Sequence, residues 1–113
     1  MKVCFDGIGE EIVTFEAAEG VQAGTLVKVS GLGQVAPCAA AGDVPVGVVQ
    51  NVRAGICGVQ TRGYMLAPSA VGLTVGFALL SADKDKKLAA GTSGRPGFVL
   101  YVDEAAGVCG VLF

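Results

Sequence analysis

The chain has 113 residues and a net charge of −2, from 8 Lys plus Arg against 10 Asp plus Glu, and it contains no His. That length fits one domain, and the missing imidazole excludes Ser-His-Asp and Cys-His nucleophiles within the chain. The lack of a basic patch argues against a nucleic-acid partner, and the lack of an apolar run of about 18 residues argues against a membrane span.

In chain order, Lys2–Phe5 reads as a short strand, broken by Gly7-Ile-Gly9. Glu11–Phe15 is the next strand, with Ile12 and Thr14 on one side and Val13 and Phe15 on the other. Residues 16–20 form a turn. Thr25–Ser30 alternates, with Val27 and Val29 on one face and Lys28 and Ser30 on the other. Gly31-Leu-Gly33 turns it into Gln34–Ala36. Residues 38–45 form a flexible loop of small residues. Gly47–Arg53 and Ile56–Arg62 make a β-hairpin over Gly55, a residue that a tight turn needs at positive φ. Residues 63–68 bridge to the second half. Residues 71–81 are strand-like, 83–87 form a charged turn and Leu88–Ala90 is a short strand. Residues 91–96 form a loop. Phe98–Val102 and Val108–Phe113 close the chain as a second hairpin.

The two hairpins are copies. Aligned on Gly47 and Gly97, both read Gly-x-Val-x-x-Val, a turn, then Gly-[Ile/Val]-Cys-Gly-Val. Val49 matches Val99, Val52 matches Val102, Cys57 matches Cys109 and Val59 matches Val111. Upstream, the run from Gly24 is similar to the run from Gly76. Val, Gly and Ala make up nearly half of the residues. No stretch keeps helical periodicity, and each interior Gly costs a helix ~1 kcal/mol relative to Ala. The expected fold is all-β: a compact β-barrel, β-tulip-like or sandwich domain built from two quasi-repeated hairpin halves. We divide the single domain 1–113 into an acidic N-terminal segment (1–20), a first half (21–63) and a second half (64–113).

The acidic side chains Asp6, Glu10, Glu11, Glu16 and Glu19 crowd the first segment against Lys2 alone. The N-terminus lacks a secretory h-region, which predicts an intracellular product. The four cysteines, Cys4, Cys38, Cys57 and Cys109, include no Cys-x-x-Cys pair, which disfavours zinc. Two readings of them stand. They are free thiols acting as small buried hydrophobes, or they form disulfides. In the second case Cys57 faces Cys109 across the pseudo-symmetry, and Cys4 and Cys38 bridge to neighbouring chains, as an assembly that leaves the cell permits.

Three stretches, Val21-Gln-Ala-Gly24-Thr-Leu-Val27-Lys-Val29, Ala41-Gly42-Asp-Val-Pro45-Val-Gly47-Val-Val49 and Gly55-Ile-Cys-Gly-Val59-Gln-Thr-Arg-Gly63, resemble the small capsid decoration (cement) proteins of tailed bacteriophages. The second half repeats the rhythm to Phe113, so the resemblance spans most of residues 20–113. It implies a β-barrel or β-tulip domain with neither catalysis nor cofactor. It implies a homotrimer that binds the major capsid protein at junctions between capsid subunits. The site would be the outer capsid surface of the virion, after synthesis in the bacterial cytoplasm. By the same resemblance, Asp6, Glu10, Glu11, Glu16 and Glu19 face the capsid. Two alternatives remain. One is another oligomeric structural barrel, such as a microcompartment vertex or a phage tail or baseplate subunit. The other is a cofactor-carrying domain modified at Lys84, Lys86 or Lys87 in a hairpin tip.

Overall fold

The structure, a computed structural model, describes residues 10–113. The expected strand Lys2–Phe5, with Cys4 and Asp6, lies outside the described residues. Within them the chain is all-β, with no helix and these strands: β1 (Glu11–Ala17), β2 (Leu26–Gly31), β3 (Gln34–Pro37), β4 (Gly47–Arg53), β5 (Ile56–Arg62), β6 (Tyr64–Pro68), β7 (Gly76–Ala82), β8 (Leu88–Gly91), β9 (Arg95–Asp103) and β10 (Val108–Leu112). The Val-rich segments stiffen at χ1 and pair readily on a pleated surface.

The first five strands form a closed barrel in the order β1-β3-β2-β4-β5, and the second five form a sheet in the order β6-β10-β9-β7-β8. The two share one connectivity. β1 runs parallel to β3 and antiparallel to β5. β6 runs antiparallel to β10, and a parallel bridge from Ser69 to Leu88 sets the end of β6 beside β8. Matching backbone bonds repeat: Ala18 N to Val35 O (2.9 Å) against Ala70 N to Leu88 O (3.0 Å), and Ala17 N to Gly55 O against Ser69 N to Gly107 O, both 2.9 Å. Gly55 and Gly107, at the two hairpin turns, have φ of 78° and 69°. Even the register breaks recur, with Gln50 and Leu100 as the extra residues in β4 and β9. A bulge pins register and strengthens twist, which helps so short a sheet curl.

The observed repeat is therefore longer than two hairpins. β1, placed by sequence in the acidic segment, is a barrel strand and the counterpart of β6. Residues 64–68, expected only to bridge the halves, are that counterpart. Residues 71–75 are turn, and β7 starts at Gly76. The Gly24–Gly76 match is off by one. Leu26 pairs with Val48 and Phe77 with Phe98, so Leu26 is equivalent to Phe77 and Thr25 to Gly76. The face that Val27 and Val29 share is covered only in part. Val27 is fully buried, but Val29 is 59% exposed, because the β2–β3 hairpin outruns the barrel towards a fully exposed Leu32.

Two apolar cores result. The first barrel encloses Val21, Val27, Val35, Val49, Cys57 and Val59. The second core contains Leu73, Leu80, Leu88, Val99, Cys109 and Val111, and it also takes in Leu26, Cys38 and Val48 from the first half. Leu26 and Val48 alternate with the inward Val27 and Val49, so they point out of the first barrel and into the second core. The halves are thus fused by shared burial. The loop before β4 reinforces the joint, through Gly42 N to Ala82 O (2.9 Å) and Ala82 N to Asp43 O (2.8 Å).

Candidate interaction surfaces

Glu10, Glu11, Glu16 and Glu19 are all exposed. They do not form one patch. Glu11 opens β1 and lies 3.6 Å from Arg62, in a pair that is more than half exposed on both sides. Glu16 lies near the other end of β1, beside Ile56 of β5 and, one strand further, Arg53 of β4. Glu19 is in the following turn. Exposed ion pairs of this kind contribute ~1 kcal/mol or less. Between them runs an outer face of Ile12, Thr14, Ile56 and Gly58, with Asn51 Oδ1 accepting from Gly58 N at 3.2 Å.

The cations near the junction of the halves are all engaged. Arg95 donates to Val46 O at 2.7 Å and to Thr61 O, and its guanidinium lies 4.3 Å above the Phe113 ring. Burial lowers its pKa, with the nearby Arg62 adding to the effect. Lys28 Nζ pairs with Asp43 Oδ2 at 3.0 Å. The same oxygen accepts from Ala39 N and Ala40 N, both at 2.9 Å, and so folds the loop back on itself. These backbone donors, followed by the Lys28 bond, pull the Asp43 carboxyl from 3.8 down to about 2. A lowered carboxyl pKa stabilises the fold above the ordinary value and loses that effect as pH falls through the lowered one. Asp43→Asn is therefore expected to unfold at lower urea than the parent at neutral pH. The gap should narrow from about pH 4 downwards and be mostly gone at about pH 2. Urea midpoints measured across that window check it, and a gap as wide at pH 2 as at pH 7 would contradict it.

Cys38, Cys57 and Cys109 are free and buried. Cys57 and Cys109 do hold equivalent positions, opposite Val52 and Val102 respectively. Each lies in its own core, so they do not face one another. Cys38, expected in a flexible loop available to neighbouring chains, is fully covered in the second core, with its N bonded to Leu26 O at 3.0 Å. Burial, with the charge of Asp43 next, pushes the Cys38 thiol up to about 11. Burial also pushes Cys109 to about 11 and raises Cys57. Thiolate is the reactive form. In the native protein these three thiols should label with a disulfide reagent at least about a thousandfold slower than in strong denaturant, because they react only through opening. Burst labelling of the native chain at any of the three, located by peptide mass, would contradict this placement.

The Asp83–Lys87 turn carries Lys84, Lys86 and Lys87 exposed at the β7–β8 tip, with Asp83 Oδ1 accepting from Asp85 N and Lys87 N. No cluster of three or more His, Cys, Asp or Glu suited to a metal is present among the described residues. Among them the most prominent outward feature is apolar. Phe77 and Phe98 are 64% and 49% exposed, and their rings meet edge to face at 5.5 Å. Sequence reasoning passed over this pair, and over Asp43 and Arg95. Phe77 was hidden by the misaligned glycine, while Asp43 and Arg95 look like ordinary loop charges until their partners are placed. No protein-family model matches the chain, and no curated protein matches it.

Proposed function

We propose that the protein is a structural component of a phage virion: a decoration protein that binds the outer capsid surface at junctions between major capsid subunits, as a homotrimer. The observation that supports it is the joining of a closed barrel and a five-stranded sheet by one shared core, with the apolar outer side chains Ile12 and Ile56 exposed on β1 and β5 beside acidic ones. Strand-borne side chains hold their positions better than loops do. A shell offers the same junction many times, so modest contacts add through multivalency. In this role the protein has no substrate and no cofactor. The acidic side chains of β1 and the following turn contribute to the capsid-facing side.

The test is co-sedimentation with assembled capsids of the encoding phage, beside the unassembled major capsid protein. The expected result is saturable binding to capsids and none to free subunits. Equal binding to both, or none to capsids, removes the reading.

A further inference from the structure

The duplication defines a second surface. Inside the chain, the outward pair Leu26–Val48 of the first half is 1% and 2% exposed because it sinks into the core of the second half. Met65 and Leu80 belong to the receiving cluster and are 2% and 0% exposed. Each of these four residues has an equivalent in the other half, fixed by strand register. Leu26 and Val48 correspond to Phe77 and Phe98. Met65 pairs with Val111 as Val13 pairs with Val59, so Met65 corresponds to Val13. Two residues beyond the Leu26/Phe77 match and its neighbour Val27/Ala78, Leu80 corresponds to Val29.

All four equivalents are exposed: Phe77 64%, Phe98 49%, Val13 40% and Val29 59%. The second half therefore presents an inserting pair with nothing inserted into it, and the first half presents receiving positions with nothing received. The Phe77 and Phe98 rings touch, and an exposed apolar pair of this kind marks an interaction site.

We infer that a second copy of this chain covers the Phe77–Phe98 pair with its Val13–Val29 side, repeating between molecules the contact that joins the two halves within one. The contact is head to tail. Such contacts use two different patches and close into rings when the rotation permits. A ring of three copies joined in this way would give the proposed homotrimer its joint. The inference itself rests on the repeat and not on capsid binding.

The experiment is sedimentation velocity of the purified chain over a concentration series, with no capsid present. Three proteins are compared: wild type, Phe77→Ser with Phe98→Ser, and Val29→Asp. All three sites are exposed, and the thermal melt of each variant confirms a folded chain. Wild type should oligomerise. Each variant should weaken assembly by at least ~30-fold, the effect of losing one strong interface anchor. Mixing the two variants should restore a heterodimer, because each keeps one intact patch. That rescue separates this contact from a symmetric Phe-to-Phe contact, which the Phe variant alone abolishes and mixing does not restore. A monomeric wild type, an oligomer indifferent to both variants, or a mixture without rescue overturns the inference. Capsid co-sedimentation that persists in any of these cases leaves the capsid reading standing.

Discussion

Gly47→Ala is expected to cost about 3 kcal/mol of stability, the upper part of the usual overpacking range. Gly47 begins β4, between β2 and β5. A Cβ built there falls inside the Gln60 carbonyl oxygen, and within 2.9 Å of both its carbon and Val59 Cγ1. The obstacle is backbone, which cannot swing away as a long side chain can. β5 is also held from its other side by β1, so opening the β4–β5 spacing strains a closed barrel. Gly97, the equivalent residue, meets the Phe113 ring at 2.9 Å and Leu112 O at 3.1 Å, which is milder because a ring can shift. Gly91 has its nearest contact at 3.9 Å, and Gly91→Ala should change stability by less than about 0.5 kcal/mol. Urea unfolding should order the losses Gly47, then Gly97, then Gly91. A Gly47→Ala protein as stable as its parent would refute the close approach.

Arg95→Ala is expected to lose about 3 kcal/mol, and Arg95→Lys to recover less than half of that. The guanidinium ties carbonyls of Val46 and Thr61 in the first half to β9, and it stacks on Phe113 from the second half. Hydrogen bonds to a charged group contribute about 1.5–3 kcal/mol each, and a partly desolvated cation–π contact about 1 kcal/mol. These gains do not add fully, since Arg95 stays partly exposed and water can reach the freed carbonyls. A lysine delivers one compact charge and cannot span both carbonyls while stacking. Because the acceptors are neutral, the loss should persist at high salt, unlike that of a surface ion pair. Thermal melts at low and high salt decide it, and a loss that vanishes in salt would reassign Arg95 to surface electrostatics.

The β4–β5 hairpin was legible to the residue, because Gly55 and the flanking valines carry strong local preferences. The β9–β10 hairpin was legible by repetition. What stayed hidden was non-local. Glu11–Ala17 and Tyr64–Pro68 share no residue identities at matched positions, yet they occupy the same place in the two halves. Only their pairing with β5 and β10 reveals it. A glycine match misled the alignment of β2 with β7 by one residue, and in a strand one residue reverses the face. That single step separates an inward residue from the outward Phe77. Cys38 looked accessible because its neighbours are small and lie in a loop; the second half covers it. The exposure of the acidic side chains of β1 agreed with their charge, but their dispersal along the strand depended on register.

The shared core also sets an order of events during synthesis. The first barrel has all its strands once Arg62 has been made, but Leu26 and Val48 then point outward with nothing over them. Their cover, Met65 through Val111, needs about fifty more residues, several seconds at ribosomal speeds of ~5–20 residues per second. Throughout that interval a nascent chain carries a sticky face that fits any second half, including one on a neighbouring ribosome. Crowded translation from one message would then favour exchanged halves, whereas slow initiation would favour chains that fold on themselves.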